Sequence, residues 1–390
     1  MRFLHLSDLH LGKRLGEMPL AKDQEYILSE LAGIADSENA DAVIIAGDVY
    51  DTAVPPAEAV SMFDGFITRL ADSGKKIFII SGNHDSQRRL EFGASLMKNS
   101  GVYLRGTYGG ACEPVVLRDE EGEICVYMLP FVKPSSVRFA HEECEAATTD
   151  EAVRFAISAM NVDPSKRNIL IAHQFVAGSQ RSDSEDLSAG GSDSVGPDAL
   201  AAFDYVALGH LHSPQRAGSE FIRYCGSPLK YSFSEIRGNK CALIVDVMKK
   251  GCVSVKSLPL TPLHDLRHIK GEYAQLTLLE NYKGTKLDDY VYITLTDEDD
   301  VPNAIGKLRS IYPNILKLDY DNVRTRTTAQ LDIPSEVKMK SPEELISEFF
   351  KMQNSVLPNE YQTQIIKDTL KKLRDGEDAQ PPMPENKEES

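Results

Sequence analysis

Along the first 250 or so residues, short apolar runs alternate with longer stretches in which apolar positions recur every three or four residues. The runs at 3–6 (FLHL), 42–46 (AVIIA), 77–80 (IFII), 169–172 (ILIA), 205–208 (YVAL) and 242–247 (ALIVDV) are rich in Ile, Leu and Val, and each gives way to a polar cluster. Runs of that length predict buried strands. Between the first three, Tyr26, Ile27, Leu31 and Ile34 share one face of a helical repeat. Val60, Phe63, Ile67 and Leu70 form another, opening after Pro55 and Pro56, where proline suits a helix start. Strand–helix alternation of this kind predicts an α/β domain with a largely parallel sheet.

The pattern changes at Pro259–Pro262. Beyond it a turn or helix near Leu276, a strand at 290–295, a helix around 301–311 and a strand near 315–318 suffice for a small α+β unit reaching about residue 330. Two amphipathic helices follow. The first opens on the capping box Ser341-Pro342-Glu343-Glu344 and carries Leu345, Ile346, Phe349 and Phe350; the second opens at Asn359 and Gln362 and carries Ile365, Ile366, Leu370 and Leu373. Residues 375–390, with three prolines and mostly acidic, are expected to be disordered. The Ser/Gly/Asp-rich stretch 178–196 reads as a long surface loop, and its place just after His173 makes a functional loop at the mouth of a site as reasonable as a passive one.

Composition narrows the class. The chain has 390 residues, 42% of them hydrophobic and 26% charged, as in a globular protein rather than a disordered or fibrous one. Its net charge of −16 argues against bulk coating of DNA, although a cation site and a local basic surface can hold a phosphodiester on an acidic body. Six cysteines without a C-x-x-C pair read as buried reduced thiols. The N-terminus MRFLHLSDLH lacks the charged and apolar regions of a secretory signal, and no stretch is long and apolar enough to span a membrane. A cytoplasmic protein is expected.

The polar clusters after five of the strands carry the chemistry. Asp8-Leu9-His10 follows the first, Gly47-Asp48 the second, Gly82-Asn83-His84-Asp85 the third, His173 the fourth and Gly209-His210-Leu211-His212 the fifth. Ligands bind outside the carboxyl ends of strands in open α/β sheets, so all five should reach one edge. Any one of these clusters alone is commonly a turn. Together they supply carboxylate, amide and imidazole donors suited to Mn²⁺, Fe²⁺ or Zn²⁺. Asp8, His10, Asp48, Asn83, His173, His210 and His212 are too many for one ion and fit two ions about 3.5–4 Å apart, with Asp48 as the natural bridge. The glycines before Asp48, Asn83 and His210 are expected to let the backbone turn sharply.

In this order the motifs resemble the calcineurin-like metallophosphoesterases. The segments MRFLHLSDLHLG, AGDVYDTAVPPAEAV, SGNHDSQRRLEFGA, YVALGHLHSPQ and YCGSPLKYSFSE resemble its bacterial SbcD branch more closely. The resemblance runs to about Tyr320 and thins over the last 60 residues. It implies layered β-sheets flanked by helices: a nuclease domain at 1–262, a DNA-binding capping domain at 263–330, and a C-terminal helical pair at 331–374 that binds the SbcC ATPase through Phe349, Phe350, Ile365 and Leu370. It implies one metal on Asp8, His10, Asp48 and His212, and a second on Asp48, Asn83, His173 and His210, most readily Mn²⁺. His84 is then not a ligand but the candidate acid for the leaving oxygen, and Asp85 either orients it or ties the turn. The implied activity is hydrolysis of DNA phosphodiesters: exonuclease action on double strands from 3′ ends, endonuclease cutting of single strands and hairpin opening, in repair, recombination and replication. A homodimer, an SbcC₂–SbcD₂ heterotetramer and association with the nucleoid are implied too. Arg88, Arg89 and Arg216, with Arg223 and Lys230, are candidates for phosphate contacts. Where archaeal and eukaryotic relatives carry a histidine, this chain has Asp51, which cannot take that role. Two rivals share the ligand set: a stand-alone phosphoesterase acting on small phosphoesters, and a non-catalytic scaffold.

Overall fold

The computed structural model describes residues 1–180, 194–323, 325, 342–354 and 357–377. Most of the 178–196 loop, the capping-box Ser341 and the tail beyond 377 lie outside the described residues. Met1–Asn322 form one compact unit, and a second begins at Val323.

The apolar runs become strands at Arg2–Leu6, Ala42–Ala46, Lys76–Ile80, Arg167–His173, Tyr205–Gly209 and Cys241–Val247. They divide between two six-stranded sheets. The first runs, in space, Val253–Pro259, Cys241–Val247, Arg2–Leu6, Ala42–Ala46, Lys76–Ile80, Val102–Arg105. Its last four strands are parallel and its first two pair antiparallel. The second runs Gln215–Ala217, Ser219–Tyr224, Tyr205–Gly209, Arg167–His173, Gly122–Leu129, Val115–Asp119, parallel in the middle and antiparallel at both edges. The parallel core is therefore split into two sheets rather than continuous.

The strand period of two explains the layers. Phe3, Ala42, Ile44, Phe78 and Ile80 point into the space between the sheets, where they meet Ile124, Val126, Ile169, Ile171, Tyr205 and Ala207. Leu4, Leu6, Val43, Ile45, Ile77 and Ile79 point the other way, onto Ile27, Leu31, Phe63, Ile67 and Leu70 of helices Ala21–Ser37 and Ala57–Asp72. Helix Thr149–Ala159, opened by a Thr148–Glu151 capping box, covers the outer face of the second sheet. Because Ala42–Ala46 is covered on both faces, it reads as an unbroken apolar run.

Leu266–Gly271, Tyr290–Leu295 and Ile315–Tyr320 make a small all-parallel sheet with its own core of Leu276, Val291, Ile293, Leu295 and Leu308. Leu266 and Tyr290 join the main core, and Asp23 accepts from the His264 backbone N–H (3.1 Å) and the Tyr290 hydroxyl (2.8 Å). Of the second unit, helices Pro342–Asn354 and Glu360–Glu377 are described. Asn359 and Gln362 cap each other reciprocally at 2.9 Å. The second helix runs through Asp375, where sequence reading starts the disordered tail; no proline stands between Pro358 and Pro381 to stop it. Five cysteines are buried and unpaired, but Cys252 is exposed. Among the described residues, no helix is long and apolar enough to cross a membrane.

Candidate metal centre

Three loops from the first sheet and two from the second meet at one edge of the sandwich. Asp8 and His10 follow Arg2–Leu6, Asp48 follows Ala42–Ala46 and Asn83 follows Lys76–Ile80; His173 ends Arg167–His173, and His210 and His212 follow Tyr205–Gly209. Asp8, His10, Asp48, His173 and His212 are buried; Asn83, His84 and His210 are half-buried.

Four of these residues carry the backbone kinks themselves. Asp8 (φ 52°), His10 (44°), Asp48 (47°) and His210 (105°) are left-handed, a conformation costing on the order of 1–3 kcal/mol for a residue with a side chain. Backbone pairing beyond the strand ends holds them: Asp8 N–H to the Gly47 carbonyl (3.1 Å), His10 N–H to Asp48 (3.0 Å) and Leu11 N–H to Val49 (2.9 Å). Of the three glycines expected to turn the chain, only Gly47 does so, at φ 89°. Gly82 and Gly209 serve close approach instead. A Cβ on Gly82 would overlap the Asp48 carboxylate, and one on Gly209 the Ala46 carbonyl.

In one half of the site, His10 Nε2 and His212 Nε2 lie 3.1 Å apart, in a cluster that includes Asp8. Behind His212, Glu235 lies 3.4 Å from Nδ1. Behind His10, Asp51 lies 3.6 Å from an Nδ1 that has no hydrogen-bond partner. A neutral imidazole has one N–H, and the carboxylates favour it on Nδ1. Two lone pairs then converge between the rings. In the other half, His173 Nδ1 donates to the Ala46 carbonyl (2.8 Å), which leaves Nε2 facing Asn83 Oδ1 (3.0 Å) and Asp48 Oδ2 (3.3 Å). His210 Nδ1 lies 2.9 Å from the same Asn83 oxygen. Asp48 joins the halves, its Oδ2 also 3.7 Å from His10 Nε2.

The electrostatics point the same way. Burial, reinforced by the charge of Asp48, pushes the Asp8 carboxyl up. His173 and His10 hold Asp48 well below the usual carboxylate range although burial opposes them. Burial would lower His173, yet Asp48 and Asp8 outweigh it and raise the ring to about 9. A cluster that binds a proton this firmly is short of positive charge. Converging lone pairs, mixed oxygen and nitrogen donors and a carboxylate common to both halves fit divalent cations.

The remaining sequence candidates divide. His84 forms a further candidate cluster with His10 and Asp48: its backbone N–H donates to Asp48 Oδ1 (2.9 Å), its Nδ1 lies 3.0 Å from the Asp51 carbonyl, and its ring packs edge-on to His10 at 4.8 Å. Asp85 ties the turn, accepting from the N–H groups of Val49, Tyr50 and Gly82 (3.1, 2.9 and 2.9 Å). Asp51 pairs with Lys13 at 2.7 Å; burial opposes ionisation, but His10 and Lys13 bring its pKa down to about 2. Arg88 and Arg89 are exposed, Arg89 beside the Ala53 carbonyl at 3.5 Å. Arg216 and Arg223 share Glu220. Lys230 pairs with Asp265 at 2.9 Å.

Sequence reading missed the supports. Glu235 backs His212, Phe131 stacks on His210 at 6.5 Å and 21°, and Gln24 spans the D-x-H loop, donating to the His10 carbonyl (2.7 Å) and accepting from Gly12 N–H (2.9 Å). Only Glu235 had a signal, as the last residue of YCGSPLKYSFSE.

The sequence profile of the calcineurin-like phosphoesterases matches residues 1–214, a span that holds every candidate ligand, and that of the type 5 capsule protein repressor C-terminal domain matches 262–354. The chain is 33% identical over 384 residues to the SbcD subunit of the nuclease SbcCD of Staphylococcus epidermidis, covering 97% of this chain and 100% of that protein. It is likewise 33% identical to the same subunit of Staphylococcus saprophyticus, over 82% of this chain and 84% of the relative. Similar solved structures include TT1561 of Thermus thermophilus (11% identity, TM-score 0.38, 66% of this chain and 98% of that one) and a dimetal phosphatase from Danio rerio (10%, 0.41, 67% and 98%). With the profile spanning the ligand-bearing body and a third of all positions shared with a nuclease subunit matched along its whole length, the chain belongs to the calcineurin-like phosphoesterases, in their SbcD branch of metal-dependent phosphodiester hydrolases.

Proposed function

We propose that the chain is the DNA-cleaving subunit of an SbcCD-type complex, with two metal positions in the clusters described above. The observation that carries this is the convergence of seven O and N donors from five loops, with Asp48 common to both halves. Asp8, His10, Asp48 and His212 would hold one ion, and Asp48, Asn83, His173 and His210 the other, Mn²⁺ being the metal expected. Divalent cations bound there would supply Lewis acidity for activating water and neutralising the phosphoryl oxygens. His84 stands outside both sets. His84 Nδ1 lies 3.0 Å from the Asp51 carbonyl, a contact that would orient the ring to pass a proton to the leaving sugar oxygen. Double-strand exonuclease, single-strand endonuclease and hairpin-opening activities follow from the same reading, as do contacts from Arg88, Arg89 and Arg216 to the phosphate backbone.

The body at 1–262 is then the nuclease domain and 263–330 its DNA-binding cap. The helical pair would dock on SbcC, a reading supported by the exposure of Phe349 and Ile365. A homodimer is supported by the exposed apolar residues Val60 and Phe92, which line a cleft of about 350 Å³ with Tyr50, Phe63 and Met97, and by Val54 and Leu96, exposed next to lining residues along the chain. The deciding experiment compares degradation of linear duplex DNA with hydrolysis of a chromogenic diester, with Mn²⁺ and with chelator. Metal-dependent DNA degradation is expected; turnover of the small diester alone, even with SbcC present, would refute it. His84→Gln should keep metal binding and lose about 10²–10⁴-fold in cleavage. Unchanged cleavage would remove His84 as the acid.

A further inference from the structure

We propose that Glu235 and Lys240 form a positioning pair that fixes the ring and tautomer of His212, and so sets how tightly one of the two cation positions fills. The proposal rests on the metal reading above. Glu235 ends the short turn Phe233–Glu235 and is 3% exposed. Its Oε1 lies 3.4 Å from His212 Nδ1 and accepts from the Tyr231 N–H (3.3 Å) and the Ser232 hydroxyl (3.1 Å). Its Oε2 receives Lys240 Nζ. Lys240 is 7% exposed, and its three ammonium donors go to Glu235, to Ser227 Oγ (2.7 Å) and to the backbone carbonyl of His212 (2.8 Å). The Ser227 N–H reaches the same carbonyl at 3.2 Å.

His212 is thus gripped at both ends, its imidazole by the carboxylate and its main chain by that carboxylate's counter-ion. Stability does not account for this arrangement. A buried ion pair gains little over apolar side chains of the same volume, because desolvating both charges offsets their attraction. Orientation does account for it. A carboxylate on Nδ1–H leaves the Nε2 lone pair aimed at His10 and makes the ring a better donor. His173 is held differently, by a neutral carbonyl, and the carboxylate behind His10 is only partly buried, at 22% exposure. The pair therefore acts on one half of the site.

The test uses the full-length chain, titrated with Mn²⁺ by calorimetry and by electron paramagnetic resonance. Wild type, E235Q and E235Q/K240M are compared. The single variant strands the Lys240 charge in the interior; the double variant removes both charges and keeps the test open if the single one does not fold. Two ions are expected in the wild type. In the folded variants one affinity should fall roughly 10–100-fold while the other stays unchanged. Nitrogen-15 shifts of the metal-free protein should show His212 losing its Nδ1–H preference. A folded double variant that binds both ions as the wild type does, or weakens both equally, would overturn the proposal and leave the metal reading intact. A wild type that binds no ion would overturn both.

Discussion

His5 lies three residues before Asp8 and is fully buried, with Nδ1 3.0 Å from the Tyr205 hydroxyl and Nε2 3.2 Å from the Leu208 carbonyl. Both nitrogens are thus spent on stitching one sheet to the other. Burial pushes its pKa down to about 3, more than the Leu208 carbonyl can offset. The unfolded ring takes up a proton near pH 6.5 and the folded one does not. Its contribution to stability is therefore complete above pH 6.5 and is lost as pH falls towards 3, by about 1.4 kcal/mol per pH unit. His5→Gln can serve both partners without titrating. Its melting temperature should fall less steeply than that of wild type between pH 6 and 4, and parallel curves would contradict this assignment. The contrast with His173, raised to about 9 by two carboxylates, shows what sequence can say about single residues. Residue type and spacing picked out the donors that meet at one edge of the sandwich. Whether a given histidine faces a hydroxyl or a carboxylate depends on segments far away along the chain, and no local pattern encodes that.

Elements were most legible where burial is two-sided. Ala42–Ala46 and Lys76–Ile80 read directly as strands because both their faces lie under other layers. The edge strands Val115–Asp119, Gln215–Ala217 and Val253–Pro259 were missed, since their solvent-facing residues break the apolar run, and the interior strand Gly122–Leu129 was missed although most of it is buried. Leu266–Gly271 was missed for the same reason: it alternates Arg267, His268 and Lys270 with apolar residues. The split into two sheets was legible only through the family resemblance, because a strand's own sequence records that it is buried but not which sheet it joins. The C-terminal helices were legible from their caps and stripes, and they carry an element-scale prediction. If the helical pair docks on SbcC, replacing Phe349 and Ile365 by Ala should weaken capture of SbcC by at least about tenfold, while metal-dependent cleavage by the isolated chain stays unchanged. Undiminished capture in a pull-down would shift the partner elsewhere.

At the scale of the molecule, the cleft lined by Phe63, Phe92 and Met97, with exposed Val54 and Leu96 next to lining residues along the chain, had no counterpart in the sequence reading, where these residues sit in separate elements. If a second copy covers this rim, Phe92→Glu with Leu96→Glu should convert a dimer into a monomer in light scattering, with the metal centre and the melting temperature little affected. A persistent dimer would place the contact on another face. The sandwich also bears a standing load. Left-handed backbone at Asp8, His10, Asp48 and His210 is strain the fold sustains before any ion arrives. Selection for heat resistance alone would relieve it by admitting glycine at those four positions. Every such gain in toughness would hollow out the centre that the two sheets were brought together to build.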